Sequence, residues 1–178
     1  MTKQFPKRII VEVIIRYDWL FLKLLPLLEK KYNIVFFVIV SKLSEKEKYK
    51  KLLNNKENII VTADELIKSS KKINVKNRGD NVYHLAERNE KKYRNNYLKD
   101  IIQQDRQICG NLLPLSHFPW DEKKKLNFEE VFKEINSNIE LVNKIFKEFK
   151  PQYVIIRPGW IMSNVFTFKK PVGRLSIF

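Results

Sequence analysis

At 178 residues the chain is long enough for one domain with a sizeable core and too short for two full Rossmann-like domains. Its formal charge of +15 invites an anionic partner, yet 27 of the 35 basic residues are Lys. With only eight Arg, whose fork reads guanine and phosphate, a solvated Lys-rich surface is expected rather than specific nucleic-acid recognition.

A single cysteine, Cys109, rules out an internal disulfide and a cysteine-rich metal site, and fits a reducing cytoplasm. No cleavable leader is read before the first apolar run, which begins at Arg8. The most apolar stretches, Trp19 to Leu28 and Ile34 to Val40, are too short to span a bilayer. The expectation is a cytoplasmic protein whose closest approach to lipid is peripheral association at the inner face of the membrane.

Arg8 to Arg16 is apolar apart from Glu12, which predicts a strand covered on both faces. Trp19 to Tyr32 reads as a helix, with Pro26 marking a kink or a late start. Ile34 to Val40 predicts a second buried strand. Ser44-Glu45-Lys46-Glu47 then has capping-box form and opens a Lys-rich helix to about Leu53. Asn58 to Val61 is a short third strand, and Thr62-Ala63-Asp64-Glu65 repeats the box, opening a helix to about Ser70. Three strand–helix units in succession imply parallel strands joined by right-handed crossovers.

Residues 71 to 80 are polar and turn-rich, a connection ending at a cap formed by Asp80 or Asn81. Val82 to Cys109 has helical spacing, with Tyr93, Tyr97 and Ile101 four apart. Gly110 to Trp120 carries two prolines and reads as a packed loop. Asn127 opens an amphipathic helix whose apolar face runs from Phe128 through Ile135 and Val142 to Phe149. Lys150-Pro151 ends it, and Gln152 to Arg157 is the last strand.

Val13 to Trp19 (VIIRYDW) and Val154 to Trp160 (VIIRPGW) share a pattern, but their flanks do not match, so a common environment explains them better than duplication. Each is an apolar strand that delivers an Arg to the rim of a sheet. In the strand order 3-2-1-4 these two strands are neighbours where the order reverses, and Arg16 and Arg157 would flank one crevice. Asp18 could cap the following helix or act in that crevice. Gly159 would let backbone approach a ligand, and Trp160 could stack on a ring.

The two histidines are too few for a histidine metal site, and no GxGxxG, P-loop or HExxH sequence is present, so no metal and no cofactor are expected. His117, beside Phe118 and Trp120, could serve as a base or simply pack. Glu87, Asp105 and Arg106 lie on the long predicted helix, where a solvated or ion-paired face is their default role.

The VIIRYDW opening with its LPLLEKKY helix, the segment AERNEKKYRNNYLKDIIQQDRQI and the exit KPQYVIIRPGWIMSN resemble the N-terminal portion of bacterial surface or capsular polysaccharide biosynthesis proteins. These look like glycosyltransferases of the two-Rossmann GT-B type, and the similarity spans roughly residues 8 to 165. It implies a single, incomplete α/β domain: a Rossmann-like open parallel sheet flanked by helices, forming the acceptor-side half. The family continues into a donor domain, whereas Phe166 to Phe178 lacks the expected continuation. The resemblance therefore implies a protein inactive alone, taking a sugar or lipid-linked glycan acceptor and meeting a nucleotide-sugar only where a second domain or chain is supplied.

By matching position, Asp18 is the first candidate base and His117 the second. Arg16 and Arg157 would hold anionic acceptor or phosphate groups and Trp160 would stack on a sugar, with Tyr17 and Gly159 also among the substrate-binding residues. The alternative is a stand-alone basic Rossmann-like module for an anionic ligand, nucleic acid or an acidic membrane surface. It needs Lys and Arg gathered on one face, whereas the helices spread Lys among Glu and Asp.

Overall fold

The computed structural model describes residues 6–13, 15–73, 82–93 and 128–156. These fall into two compact units, one holding the described residues up to Lys68 and from Ile145 onward, the other those between Ser69 and Lys144.

The first unit is built on β1 (Lys7–Glu12), α1 (Asp18–Tyr32), β2 (Ile34–Val40), α2 (Leu43–Leu52), β3 (Ile59–Thr62) and β4 (Tyr153–Ile155), with α3 (Ala63–Lys72) beginning in it. Among the described residues the four strands form one all-parallel sheet in the order β3-β2-β1-β4. This is the Rossmann-like α/β arrangement that the alternating pattern predicts.

Strand side chains alternate between faces, so the register Ile9↔Phe36 and Val11↔Val38 sends all four to the same side. There they pack with Phe21, Leu22, Leu25 and Leu28 of α1 and with Tyr49 and Leu53 at α2. On the opposite face Phe37 meets Phe149 edge to face at 5.7 Å. Phe149 closes α5 (Phe128–Phe149), whose last turn belongs to this unit. Helical elements thus cover both faces, and all seven residues of β2 are buried. Each such Ile, Val or Phe contributes about 1.5–3 kcal/mol of burial.

Several boundaries differ from those the pattern suggests. β1 ends at Glu12 rather than running to Arg16. Its parallel partner runs out: Glu12 pairs with Ile39, Val13 N–H still donates to Ile39 O at 2.8 Å, and β2 stops at Val40. Without a ladder the chain tightens into a 3-10 turn over Ile15–Tyr17. β4 is likewise shorter than Gln152 to Arg157, covering Tyr153–Ile155.

The box at residues 44 to 47 is also displaced. Lys42 is the N-cap of α2, and the carboxylate that reaches back is Glu45, accepting the N–H groups of Ser41 and Lys42 at 3.1 Å each. Glu47 instead pairs with Lys50 at 2.9 Å. The box at α3 is as expected: Thr62 Oγ1 accepts from Glu65 N at 3.1 Å, and Glu65 Oε2 accepts from Thr62 N at 2.9 Å.

The second unit holds α4 (Val82–Tyr93) and most of α5. α4 is the described part of the helix expected over 82 to 109; the residues beyond Tyr93 lie outside the described set. In α5, Ile135, Ile139 and Val142 are buried as their spacing predicts, and Asn136, Ser137 and Asn138 are buried as well. One of these amides is satisfied by its neighbour helix, Asn89 Nδ2 donating to Asn136 Oδ1 at 3.1 Å.

Candidate functional site

The order β3-β2-β1-β4 reverses at β1: successive strands run to one side of it, and β4 lies on the other, in the register Ile9↔Tyr153 and Val11↔Ile155. In open parallel sheets the crevice outside the carboxyl ends at such a point is where ligands bind. The chain leaving β1 there is the 3-10 turn Ile15–Tyr17 and the first turn of α1.

That short turn controls what is displayed. Arg16 and Tyr17 stand exposed, while Asp18 is partly buried. The expectation that Asp18 caps the helix is corrected: the N-cap is Tyr17, with no side-chain cap bond, and Asp18 is the first helical residue. The carboxylate favours the positive end of the helix dipole from that position, but its hydrogen bond goes elsewhere.

Tyr49 supplies that bond. It is completely buried, and its hydroxyl donates to Asp18 Oδ1 at 2.8 Å. Burial pushes the phenol well above its ordinary pKa of 10.0, and the bond to Asp18, the charge of Asp18 and the charge of Glu45 push it further the same way. Tyr49 therefore stays a hydrogen-bond donor across the working pH range. It holds one oxygen of Asp18 in place, and among the described residues the other oxygen has no recorded partner. Glu45, one turn before Tyr49, is occupied in capping α2.

Tyr49 was not among the residues the sequence pointed to. The signal was available: within the polar run Glu45 to Lys51, Tyr49 is the one large ring, and Leu53 follows four residues later on the same helical side. Such an isolated apolar position marks the face a helix buries, and a buried Tyr needs a partner for its hydroxyl.

The remaining candidates divide sharply. Glu87 belongs to the second unit, on α4, where it is exposed and pairs with Lys91 four residues on at 2.8 Å. The hydrogen bond from Lys91, then its charge, lower the Glu87 pKa, as an exposed helical ion pair would. Asp105, Arg106, His117, Arg157, Gly159 and Trp160 lie outside the described residues. Among the described residues no group of three His, Cys, Asp or Glu is placed to hold a metal ion.

A concavity of about 300 Å³ opens at the amino edge of the same sheet, away from Arg16 to Asp18. Arg8, Glu57, Glu148 and Phe149 lie around it. Its Arg is already engaged, donating to Phe149 O at 3.1 Å and to Glu57 at 3.3 Å while lying over the Phe149 ring. The segment Arg16 to Asp18 is the stronger candidate because Arg16 and Tyr17 are displayed and Tyr49 engages one oxygen of Asp18, whereas Arg8 is tied to Glu57 and Phe149.

No family model, no curated protein and no solved structure matches the chain.

Proposed function

We propose that this chain is a glycosyltransferase-like protein of cell-surface polysaccharide assembly, holding a sugar or lipid-linked glycan acceptor at the carboxyl rim of β1. The observation that carries the reading is the Asp18 carboxylate, fixed by the hydroxyl of a fully buried Tyr49 at the point where strand order reverses. A base must be held in orientation while keeping an oxygen open to the proton it accepts, and this arrangement provides both.

In the transfer step an acceptor hydroxyl loses its proton to Asp18. The acceptor oxygen bonds to the donor's anomeric carbon as the bond from that carbon to the diphosphate breaks, and the diphosphate leaves with the electron pair. The exposed guanidinium of Arg16 offers charge for an acceptor phosphate or the departing diphosphate. In this reading His117 is a second base, Arg157 a second anion contact, and Gly159 and Trp160 a sugar-facing wall, with the nucleotide-sugar bound by a second domain or chain.

Titrating the full chain with sugar 1-phosphates, a short-chain lipid pyrophosphoryl sugar and the matching neutral sugars, followed by ligand-observed NMR, tests the acceptor site. Saturable binding of the phosphorylated sugars is expected, weakened about tenfold by Arg16→Ala, the size of one charge-assisted hydrogen bond. Absence of saturable binding to any of them overturns the reading.

A further inference from the structure

α1 carries two apolar sets, and the core uses only one. Phe21, Leu22, Leu25 and Leu28 face the sheet and supply its packing. Trp19, Leu20, Leu24 and Leu27 face outward and are 61%, 41%, 38% and 65% exposed. Leu20, Leu24 and Leu27 are three and four residues apart, so they form a continuous stripe on the solvent side. Single exposed leucines are ordinary; four large apolar side chains on one face of one helix form a patch.

The charges that α1 itself places beside the patch share one sign. Lys23, Lys30 and Lys31 are exposed on the same outward arc, and Arg16 stands exposed just before the helix. The two carboxylates of α1 lie on its inward side and are engaged: Asp18 with Tyr49, and Glu29 with the N–H groups of Asn54 and Asn55 at 2.9 and 3.0 Å. Lys side chains flanking an apolar stripe extend their stems along it and carry their charge outward, as in helices that lie in the membrane interface. Trp at one end suits the same depth. At 15 residues the helix is about 22 Å long, and among the described residues no helix is long and apolar enough to cross a membrane.

We propose that α1 docks in the plane of an anionic membrane surface, with Leu20, Leu24 and Leu27 at the headgroup–acyl boundary and Lys23, Lys30 and Lys31 among the headgroups. Charge complementarity selects this occupant. The chain carries +15, and the outward face of α1 has three lysines and no carboxylate, so an anionic bilayer neutralises what a second copy of the same face would oppose with like charge. Docking also brings the turn Ile15–Tyr17 and Asp18, at the start of the helix, close to headgroup level, where the phosphate of a lipid-linked molecule lies. The docking itself does not depend on sugar transfer.

Co-sedimentation of the full chain with vesicles tests it, comparing phosphatidylcholine alone with phosphatidylcholine and phosphatidylglycerol in equal parts. The chain is expected to partition onto the mixed vesicles and far less onto the zwitterionic ones. Leu20→Ser with Leu27→Ser should reduce partitioning by at least about tenfold, since each loses most of a leucine's burial. Lys23→Gln, Lys30→Gln and Lys31→Gln together should reduce it about a hundredfold, with each cation near the surface contributing about fivefold. All five positions are exposed, and a circular-dichroism melt confirms that each variant folds. Three results would overturn the proposal: no partitioning at low salt, partitioning unchanged in the leucine variant, or a self-associated chain that the leucine variant dissociates in sedimentation velocity while vesicle binding persists.

Discussion

At the amino edge of the sheet, Glu29 accepts from the backbone of Asn54 and Asn55 and from Asn58 Nδ2, while Asn58 Oδ1 accepts from Phe36 N at 2.8 Å. Arg8 there is tied to Glu57 and to the end of α5, and Gln152 N–H donates to Arg8 O at 2.8 Å. At the carboxyl rim the ends of β2 and β3 are closed by Glu45 and Glu65, whereas at the exit of β1 Arg16 and Tyr17 stand exposed and Asp18 is hydrogen-bonded to Tyr49. Both edges have an Arg, a carboxylate and aromatic rings. The amino edge engages its polar groups internally and holds β1, β2 and β4 to their neighbouring loops and helices; the exit of β1 displays Arg16 and Tyr17 to solvent. Residue type alone does not distinguish a clamp from a site, and partner saturation does.

The largest effect expected of a single substitution lies at the clamp. Glu29→Ala removes the acceptor of two backbone N–H groups and one side-chain amide, each bond to a carboxylate contributing about 1.5–3 kcal/mol net when well buried and less at this partly exposed position. A loss of about 3 kcal/mol in urea denaturation is expected, with vesicle partitioning of the folded fraction unchanged. A loss below about 1 kcal/mol would mean that water replaces Glu29 at little cost, and the contrast between the edges would fail.

Tyr49→Phe comes next and touches both roles. It keeps the buried ring and deletes the hydroxyl, at a cost of about 1–2 kcal/mol. The pH dependence carries the signature. The folded-state pKa of Tyr49 is raised above its unfolded value near 10.0, so its contribution is complete below pH 10 and is lost as pH rises beyond it, where only the unfolded chain can ionise the phenol. Tyr49→Phe should flatten the fall in stability above pH 10, and spectrophotometric titration of the native protein should show one phenol fewer ionising there. If Asp18 is the base, the same variant also weakens acceptor binding by releasing the carboxylate.

Thr62→Ala tests the part of the fold that reads most directly from sequence. The box of Thr62 and Glu65 lies where its spacing predicts, and losing the cap should cost about 1 kcal/mol. Lys46 Nζ binds the same Glu65 at 2.5 and 2.7 Å, and this hydrogen bond, followed by that from Thr62, lowers the Glu65 pKa. A depressed carboxylate pKa contributes stability above the ordinary value of 4.5 and loses it as pH falls below; the Glu65 side chain is 44% exposed, so about half a kcal/mol or less is at stake. Lys46→Gln should reduce that acid-side slope in thermal melts collected from neutral pH downward, leaving the part due to Thr62.

What could be read in advance follows from the range of each interaction. Strands β1 to β3, the α3 cap and the order β3-β2-β1-β4 come from local periodicity and connection rules, and they are visible in Ile34 to Val40 or Thr62 to Glu65 without any structure. The end of β1 depends on where its neighbour β2 stops, so the apolar run to Arg16 misleads. The bond from Tyr49 to Asp18 joins residues 31 apart through two helices packed on one face, which periodicity in either helix cannot reveal. The outward stripe of α1 was hidden for the opposite reason: apart from Lys23, Trp19 to Leu28 is apolar on every side, and only packing separates the side that is buried from the side that is shown.

The smallest stability effect carries the sharpest test of the comparison. Arg16 is exposed, and among the described residues it has no recorded ion pair, so Arg16→Ala should shift folding by no more than about 0.5 kcal/mol. Arg8→Ala, at the other edge, breaks a bond to Phe149 O, a contact with Glu57 and a stack on the Phe149 ring, and should cost about 1–2 kcal/mol. Binding of phosphorylated sugar should reverse that order, falling about tenfold for Arg16→Ala and little for Arg8→Ala. Two arginines on one sheet would then separate stability from recognition in a single pair of variants. If instead both substitutions destabilise and neither changes binding, the rim is another clamp, and the site must be sought away from β1.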